Sequence, residues 1–231
     1  MGLRPSWVTP QALFAVSTTH GEKYINFSRS PLNSHVGVSL CSNKYVTRLI
    51  LDRNNLQNIP YAQPETIAQA EVFLAQYTKI IAKPKSGSGC RDIHVITDKA
   101  ALRALDISKY ILEQHITGKE MRYLVLNDKV IAVHRSDYGI SVEEDRPLER
   151  ISYPEVDWNP QSVETSLKIT RILGLRFTAI DFMVDASGRQ FILEVNTAPG
   201  LKWFHAPTSG PSVDVASLFM NSALQYEPQA G

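Results

Sequence analysis

The sequence predicts an α+β protein built on antiparallel hairpins, and two observations point that way. Runs of alternating apolar and polar residues recur in pairs joined by turn-forming segments, and stretches of helical spacing lie between them. The pair spanning 177–200, FTAIDFMVDASGRQFILEVNTAPG, is the most informative. It reads as two strands joined by a turn at Asp185-Ala186-Ser187-Gly188. Asp181 lies in the first strand and Glu194 and Asn196 in the second, and alternation with period two puts Glu194 and Asn196 on one face. Pairing across the hairpin brings Asp181 toward that face. Three oxygen donors on a rigid platform are the set that a hard cation such as Mg²⁺ prefers. Both carboxylates interrupt apolar runs, Asp181 between Ile180 and Phe182 and Glu194 between Leu193 and Val195, which argues against mere decoration of a solvent face.

At 231 residues the chain makes one medium domain or two small lobes. Its formal net charge of +1 supplies no electrostatic case for nucleic acid or an anionic membrane. No apolar run approaches the length of a membrane span, and no secretory pattern opens the sequence. Cys41 and Cys90 are too few for a disulfide framework or a thiolate metal site, so a reducing, cytoplasmic setting is expected.

Taken in order, residues 1–10 read as a loose arm, and 12–17 and 23–28 as a hairpin turning at Gly21. Residues 31–35 read as a loop. A helix over 43–54 places Val46, Leu49, Ile50 and Arg53 on one stripe, and a second over 66–77 presents Ile67, Ala70, Val72, Phe73 and Leu74. Residues 79–84 form a buried strand ending at Lys83-Pro84, and 93–96 form its return strand. The loop between them, Lys85-Ser86-Gly87-Ser88-Gly89-Cys90-Arg91-Asp92, lets backbone N–H groups approach an anion. It joins strand to strand, so it is not a Walker A loop, which opens a helix. A short helix over 99–105, a strand over 110–116, a turn over 117–120 and a hairpin over 121–135 follow. The polar, Glu- and Arg-rich stretch 136–160 is irregular, and an irregular segment that long is disordered or functional. A helix over 162–174 turns Leu167, Ile169, Ile172 and Leu173 inward, and a closing helix spans 213–224.

Together these features set a divalent-cation platform opposite two lysines, Lys44 and Lys83, and a glycine loop, which is what a nucleoside triphosphate needs. The order of motifs over about residues 40–225 resembles the ATP-grasp superfamily of carboxylate–amine ligases. The resemblance is most specific at Asp181 and at Leu193-Glu194-Val195-Asn196-Thr197-Ala198-Pro199-Gly200. It implies two α+β lobes gripping ATP between antiparallel sheets. On sequence order, 1–40 are a short arm and hairpin replacing the usual longer N-terminal domain, 41–115 the first lobe and 116–231 the second.

The resemblance further implies that Asp181, Glu194 and Asn196 hold Mg²⁺, two ions being expected, and that Lys44 and Lys83 hold the ATP phosphates under Gly87-Ser88-Gly89. It assigns Glu113, Gln114, His115 and Ile116 to the strand whose backbone reads adenine, and Glu120 to the ribose hydroxyls. Arg135 and Arg171, with Lys83, are candidates to stabilise phosphate or a substrate carboxylate. The activity implied is attack of a carboxylate on the γ-phosphate, then displacement of phosphate by an amine, with no protein nucleophile. Ala179 stands where the D-alanine–D-alanine ligase branch has an arginine, while the segment after Pro199 is closer to the glutathione-synthetase, glutamate-ligase and cyanophycin-synthetase branches. The Lys83–Arg91 stretch resembles carbamoyl-phosphate-synthetase-like members, so the branch stays open. Amino acids or peptides are the expected substrates, recognised either by the C-terminal lobe and the 136–160 loop or with a partner subunit supplying the missing wall, and a homo-oligomer is also expected as an option. An ATP-binding module dependent on a partner, and a phosphotransferase, are the alternatives.

Overall fold

The computed structural model describes residues 5–9, 13–18, 21–29, 31–87, 91–136 and 149–225. It contains a small N-terminal sheet and two further antiparallel sheets with helices laid on them.

Strands β1 (Pro5–Thr9), β2 (Leu13–Thr18) and β3 (Gly21–Asn26) form the N-terminal sheet, so a strand stands within the expected loose arm. Helices α1 (His35–Ser42) and α2 (Lys44–Arg53) follow. Ser34 and Asn43 cap them, each side chain accepting a backbone N–H of the first turn. The expected loop over 31–35 thus ends in an N-cap rather than continuing.

The first lobe is a four-stranded sheet in the order β4 (Tyr61–Ala62), β7 (Tyr110–Gln114), β5 (Ile80–Pro84), β6 (His94–Ile96). Helices α3 (Ile67–Tyr77) and α4 (Lys99–Arg103) cover it, and Ala70, Phe73, Leu74, Ile80, Leu102 and Leu112 make its core. α3 starts at a reciprocal capping box between Thr66 and Gln69.

The second lobe is a five-stranded sheet in the order β10 (Arg150–Tyr153), β9 (Lys129–Ser136), β8 (Gly118–Leu126), β11 (Phe177–Asp185), β12 (Gln190–Asn196). Asn127 and Asp128 both take positive φ, 47° and 61°, and close the two-residue β8–β9 turn. Helix α5 (Pro160–Leu173) starts with proline in its first turn and stops at Gly174, whose φ of 63° is left-handed.

One face of this sheet, carrying Tyr123, Val133, Ile180, Phe182 and Val195, packs on α5 and on Leu51 and Ile50 of α2. Ile50 and Leu51, grouped with the first lobe on sequence order, therefore pack on the second, while the Lys44 N–H donates to the Lys85 carbonyl and Tyr45 lies edge-on to Tyr61 on the first-lobe side. The expected stripe on α2 also shifts: Thr47, Arg48 and Leu51 are buried, while Leu49 is 40% exposed. The opposite face has two zones. Leu124, Ala132, Phe177 and Ala179 are covered by Ile25 of β3 and by helices α6 (Lys202–His205) and α7 (Val215–Gln225), through Phe204 and Phe219. Beside them, one cross-strand row carries Ser152, His134, Arg122, Asp181 and Glu194.

Both outer strands of the large sheet are covered along their free edges. On β12, the Ile192 N–H donates to the Gln57 carbonyl, and Asn58 forms a parallel bridge to Ile192. On β10, Thr208 N–H donates to Arg150 and Ser152 N–H to Ser209. β10 lies inside the stretch expected to be irregular.

Candidate functional site

Period-two alternation and the β11–β12 register bring the three expected oxygen donors onto one face. Asp181 pairs with Glu194 and Ala179 with Asn196, so all three side chains leave the same side of the hairpin. A bulge between Asp181 and Phe182 makes this possible. Phe182 faces Ile192, and continuing that pairing regularly would set Leu193 opposite Asp181 and turn Glu194 into the helix-covered core. The Asn196 side-chain oxygen accepts from Ala198 N–H at 3.0 Å, which fixes its rotamer at the Pro199 break.

Carboxylate charge is concentrated here. Glu120 is 9% exposed and Asp181 1%. Burial and then the Asp181 charge push the Glu120 carboxyl well above the usual carboxylate range, and the same two causes raise Glu194. Among the described residues no three His, Cys, Asp or Glu side chains form a metal-binding group by themselves; the donor set consists of two carboxylates and the Asn196 amide oxygen. Excess buried negative charge beside oxygen-only donors fits a hard divalent cation.

Arg122 of β8 sits opposite Asp181, with Nε donating to Oδ1 at 2.6 Å and Nη2 to Oδ2 at 2.7 Å. Its neighbour in the row, His134, is 1% exposed, with its ring edge-on to Phe204 at 4.5 Å. Burial, the largest cause, holds His134 down at about 4. The unfolded chain therefore takes up this proton first. The stability that neutral His134 contributes is complete above about pH 6.5 and is lost as pH falls through about 4, up to about 3 kcal/mol. His134→Gln should flatten the denaturant-midpoint profile between those pH values; an unchanged profile would assign the acid limb to other groups.

In the first lobe, Lys83 is 8% exposed on β5, and its Nζ lies 2.8 Å from Glu113 Oε2. Arg48 of α2 grips the other oxygen, its Nε and Nη2 donating to Glu113 Oε1 at 2.9 and 2.7 Å. Burial alone would raise Glu113, but Arg48 and Lys83 outweigh it and hold the carboxyl at about 2. Arg48 also donates to the carbonyls of Ile192 and Leu193 at 2.6 and 2.7 Å, so one guanidinium ties the Lys83 strand pair to β12. Consecutive strand carbonyls ordinarily point to opposite edges, and the bulge lets both meet the same side chain. Lys44 reaches the glycine loop, Nζ donating to Gly87 O at 2.8 Å, and the charges of Lys44 and Lys83 both act on Glu194. Ser88 and Gly89 lie outside the described residues.

Several expected roles are displaced. The N–H groups of Gln114 and His115 donate to the Pro60 and Lys79 carbonyls at 2.8 and 3.2 Å, so these two donors are engaged within the chain. The Glu113 side chain is an internal ion-pair partner. Arg135 pairs with Met121 and Ile151, on the opposite face from Asp181, because it is one residue out of phase with His134. Arg171 is on the exposed side of α5, 3.6 Å from Asp128 at the β8–β9 turn. Neither arginine joins the row.

The sequence reading missed Arg48, Arg122 and His134, and also Arg150 of β10, which is 1% exposed with its guanidinium 5.4 Å from the Trp203 ring centroid. The available signal was alternation: Glu120, Arg122 and Leu124 fall on one face of β8, and a polar pair in phase with Asp181 marks that face.

A family model described as an ATP-grasp domain matches residues 41–200. The chain belongs to the ATP-grasp family. Among curated relatives of this ATP-grasp chain, the tetrahydromethanopterin:alpha-L-glutamate ligase of Methanocaldococcus jannaschii is 23% identical over 222 residues, covering 88% of this chain and 73% of that protein. The glutathione biosynthesis bifunctional protein GshAB of Listeria welshimeri is 32% identical over 126 residues, 49% of this chain but 16% of that one. Among solved structures, the ATP-grasp ligase PsnB, complexed with a phosphomimetic variant of a minimal precursor, Mg and ADP, superposes with a TM-score of 0.68 at 18% identity, over 84% of this chain and 61% of that one. A bifunctional glutathione synthetase from Pasteurella multocida gives 0.67 at 14% identity, over 95% and 41%. The likeness to these structures is one of fold, the α+β arrangement of antiparallel sheets described above.

Proposed function

We propose that this ATP-grasp chain is an ATP-dependent carboxylate–amine ligase acting on amino-acid or peptide substrates through an acyl phosphate. The observation that carries the reading is the oxygen set of Asp181, Glu194 and Asn196 on the second lobe, within electrostatic reach of Lys44 and Lys83 beside the glycine loop. The family and the names of the relatives, a glutamate ligase and a bifunctional protein of glutathione biosynthesis, support it.

Asp181, Glu194 and Asn196 would hold Mg²⁺, with two ions the expected number. When bound, Mg²⁺ supplies charge neutralisation for the transferring phosphoryl group. Lys83 and Lys44 place positive charge against the phosphate oxygens, and Gly87 is the described part of the loop that would approach them. Glu113 fixes Lys83 at the end of β5, so its ammonium is already oriented before nucleotide arrives. The carboxylate oxygen of the first substrate attacks the γ-phosphorus and ADP leaves; the amine then attacks the acyl carbon, and phosphate leaves as the amide forms. With side chains acting by charge and position, no protein nucleophile is required.

The test is incubation with ATP, Mg²⁺ and pools of amino acids and short peptides that include glutamate as amine. The reading expects ADP, phosphate and a new amide by mass spectrometry. ATP consumption that leaves a phosphorylated acceptor would replace ligation with phosphotransfer, and no phosphate release with any pool would overturn the reading.

A further inference from the structure

Helix α1 runs beside the end of the strand that carries Glu194 and Asn196. Cys41 of α1 is within electrostatic reach of Glu194. Val38, one turn earlier, lines a cavity together with Thr197, the residue after Asn196. The cavity measures about 230 Å³, several times the roughly 30 Å³ share of one water molecule. Arg29, Asn33 and His35 complete its lining, which holds a guanidinium and an imidazole and no acidic side chain.

The walls are fixed by the chain itself. The Asn33 amide donates to the carbonyls of Phe177 at 2.7 Å and Thr197 at 3.4 Å, and its oxygen accepts the N–H groups of Arg176 and Phe177, both at 2.8 Å. Arg29 is held by paired backbone bonds with Asn26, at 2.9 and 3.3 Å. Asn33 is thus fully engaged in structure. Among the described residues no hydrogen bond or ion pair engages the Arg29 guanidinium, the His35 ring or the Thr197 hydroxyl. From Glu194 to Thr197 is roughly 10 Å at the rise of a strand, within the reach of an acyl group joined to one or two residues. A guanidinium keeps its charge, forks onto a carboxylate and repels an ammonium, so the cavity suits an anionic end of a substrate and not its amine.

We propose that this cavity is the subsite for a second, non-reacting carboxylate of a substrate, with Arg29 pairing to it and the His35 ring and Thr197 hydroxyl donating hydrogen bonds. The inference rests on the preceding reading, which puts phosphoryl transfer at the Glu194 end of the same strand. It narrows the substrates to a class. Acid and amine are joined beside Asp181, Glu194 and Asn196 while a further carboxylate, carried by the amine partner or by the acyl partner, is anchored past the end of β12. A partner without that carboxylate forgoes the Arg29 contact and is ligated less well.

Two comparisons test this, each run as a competition within one mixture of amino acids and short peptides with ATP and Mg²⁺, so that product ratios by mass spectrometry read relative kcat/KM. Free amino acids compete with their α-carboxamides as amines, and N-acetylglutamate competes with its two monoamides as acyl partner. The natural chain should favour the free acid in one comparison by roughly ten- to a hundredfold, the scale of one charge-assisted hydrogen bond. The comparison that shows it identifies which partner carries the carboxylate. Arg29→Gln should bring that ratio close to one, and Arg29→Lys, which keeps the charge but loses the fork, should retain part of it. Each ratio is internal to one preparation, so partial unfolding of a variant does not imitate the result. No preference in either comparison, or a preference that survives Arg29→Gln unchanged, overturns the proposal and leaves ligation standing. A chain that ligates nothing in either mixture loses the preceding reading, and this proposal falls with it.

Discussion

Arg48→Met is expected to destabilise the chain by about 3–5 kcal/mol, the cost of breaking a buried ion pair by removing one partner. Arg48 is 4% exposed and Glu113 1%, so water does not readily replace the guanidinium. The substitution leaves Glu113 with Lys83 alone and removes the donors to the carbonyls of Ile192 and Leu193, which lie in the other lobe. Denaturant unfolding monitored by circular dichroism measures the loss. A second readout follows from the sign of the Glu113 shift. With its folded value near 2, below the unfolded one, Glu113 contributes stability that is full above about pH 4.5 and is lost as pH falls toward 2. In Arg48→Met that loss should begin at higher pH. A change below about 1 kcal/mol would mean that the lobes are not held together through this residue.

Asp181→Asn should lower ATP-dependent turnover by roughly a hundred- to a thousandfold, the scale of removing one electrostatic stabiliser of a reacting group. It also removes the negative charge from the Arg122 contact and replaces one of the two acceptor oxygens with an NH2 donor, so a fall in stability accompanies it. Glu194→Gln is the companion that separates the two effects. It removes a carboxylate of the proposed metal set but leaves the Arg122–Asp181 pair in place. Comparable loss of phosphate release in both variants, with destabilisation confined to Asp181→Asn, is the expected pattern. A Glu194→Gln chain with unimpaired turnover would remove that residue from the metal set.

What could be read from the sequence was local. The β11–β12 hairpin, the strand ending at Lys83-Pro84 and the helix capped by Thr66 all carry their periodicity and punctuation within a dozen residues. The elements missed depend on distant partners. β10 buries Arg150 and Ser152, so its polar residues face inward and the usual alternation is inverted. α1 packs through Gly37 and partly buried neighbours rather than through an apolar stripe. The same holds for the site. Asp181, Glu194 and Asn196 announce themselves as polar breaks in apolar strands, but Arg48 acquires its meaning from Glu113 and Ile192, 65 and 144 positions away. Arg135 and Arg171 were legible only as arginines, and register, which composition does not encode, sets one on the opposite face and the other at a remote turn.

The covered borders of the large sheet bear on how copies of this chain can meet. An uncovered strand border offers a ladder of donors and acceptors that a second molecule can extend. Here residues 57–58 lie along β12 and residues 208–209 along β10, so neither border presents a free ladder at those positions. Growth by strand addition is left to the two smaller sheets, whose edge strands β1, β3, β4 and β6 each have a single strand neighbour among the described residues.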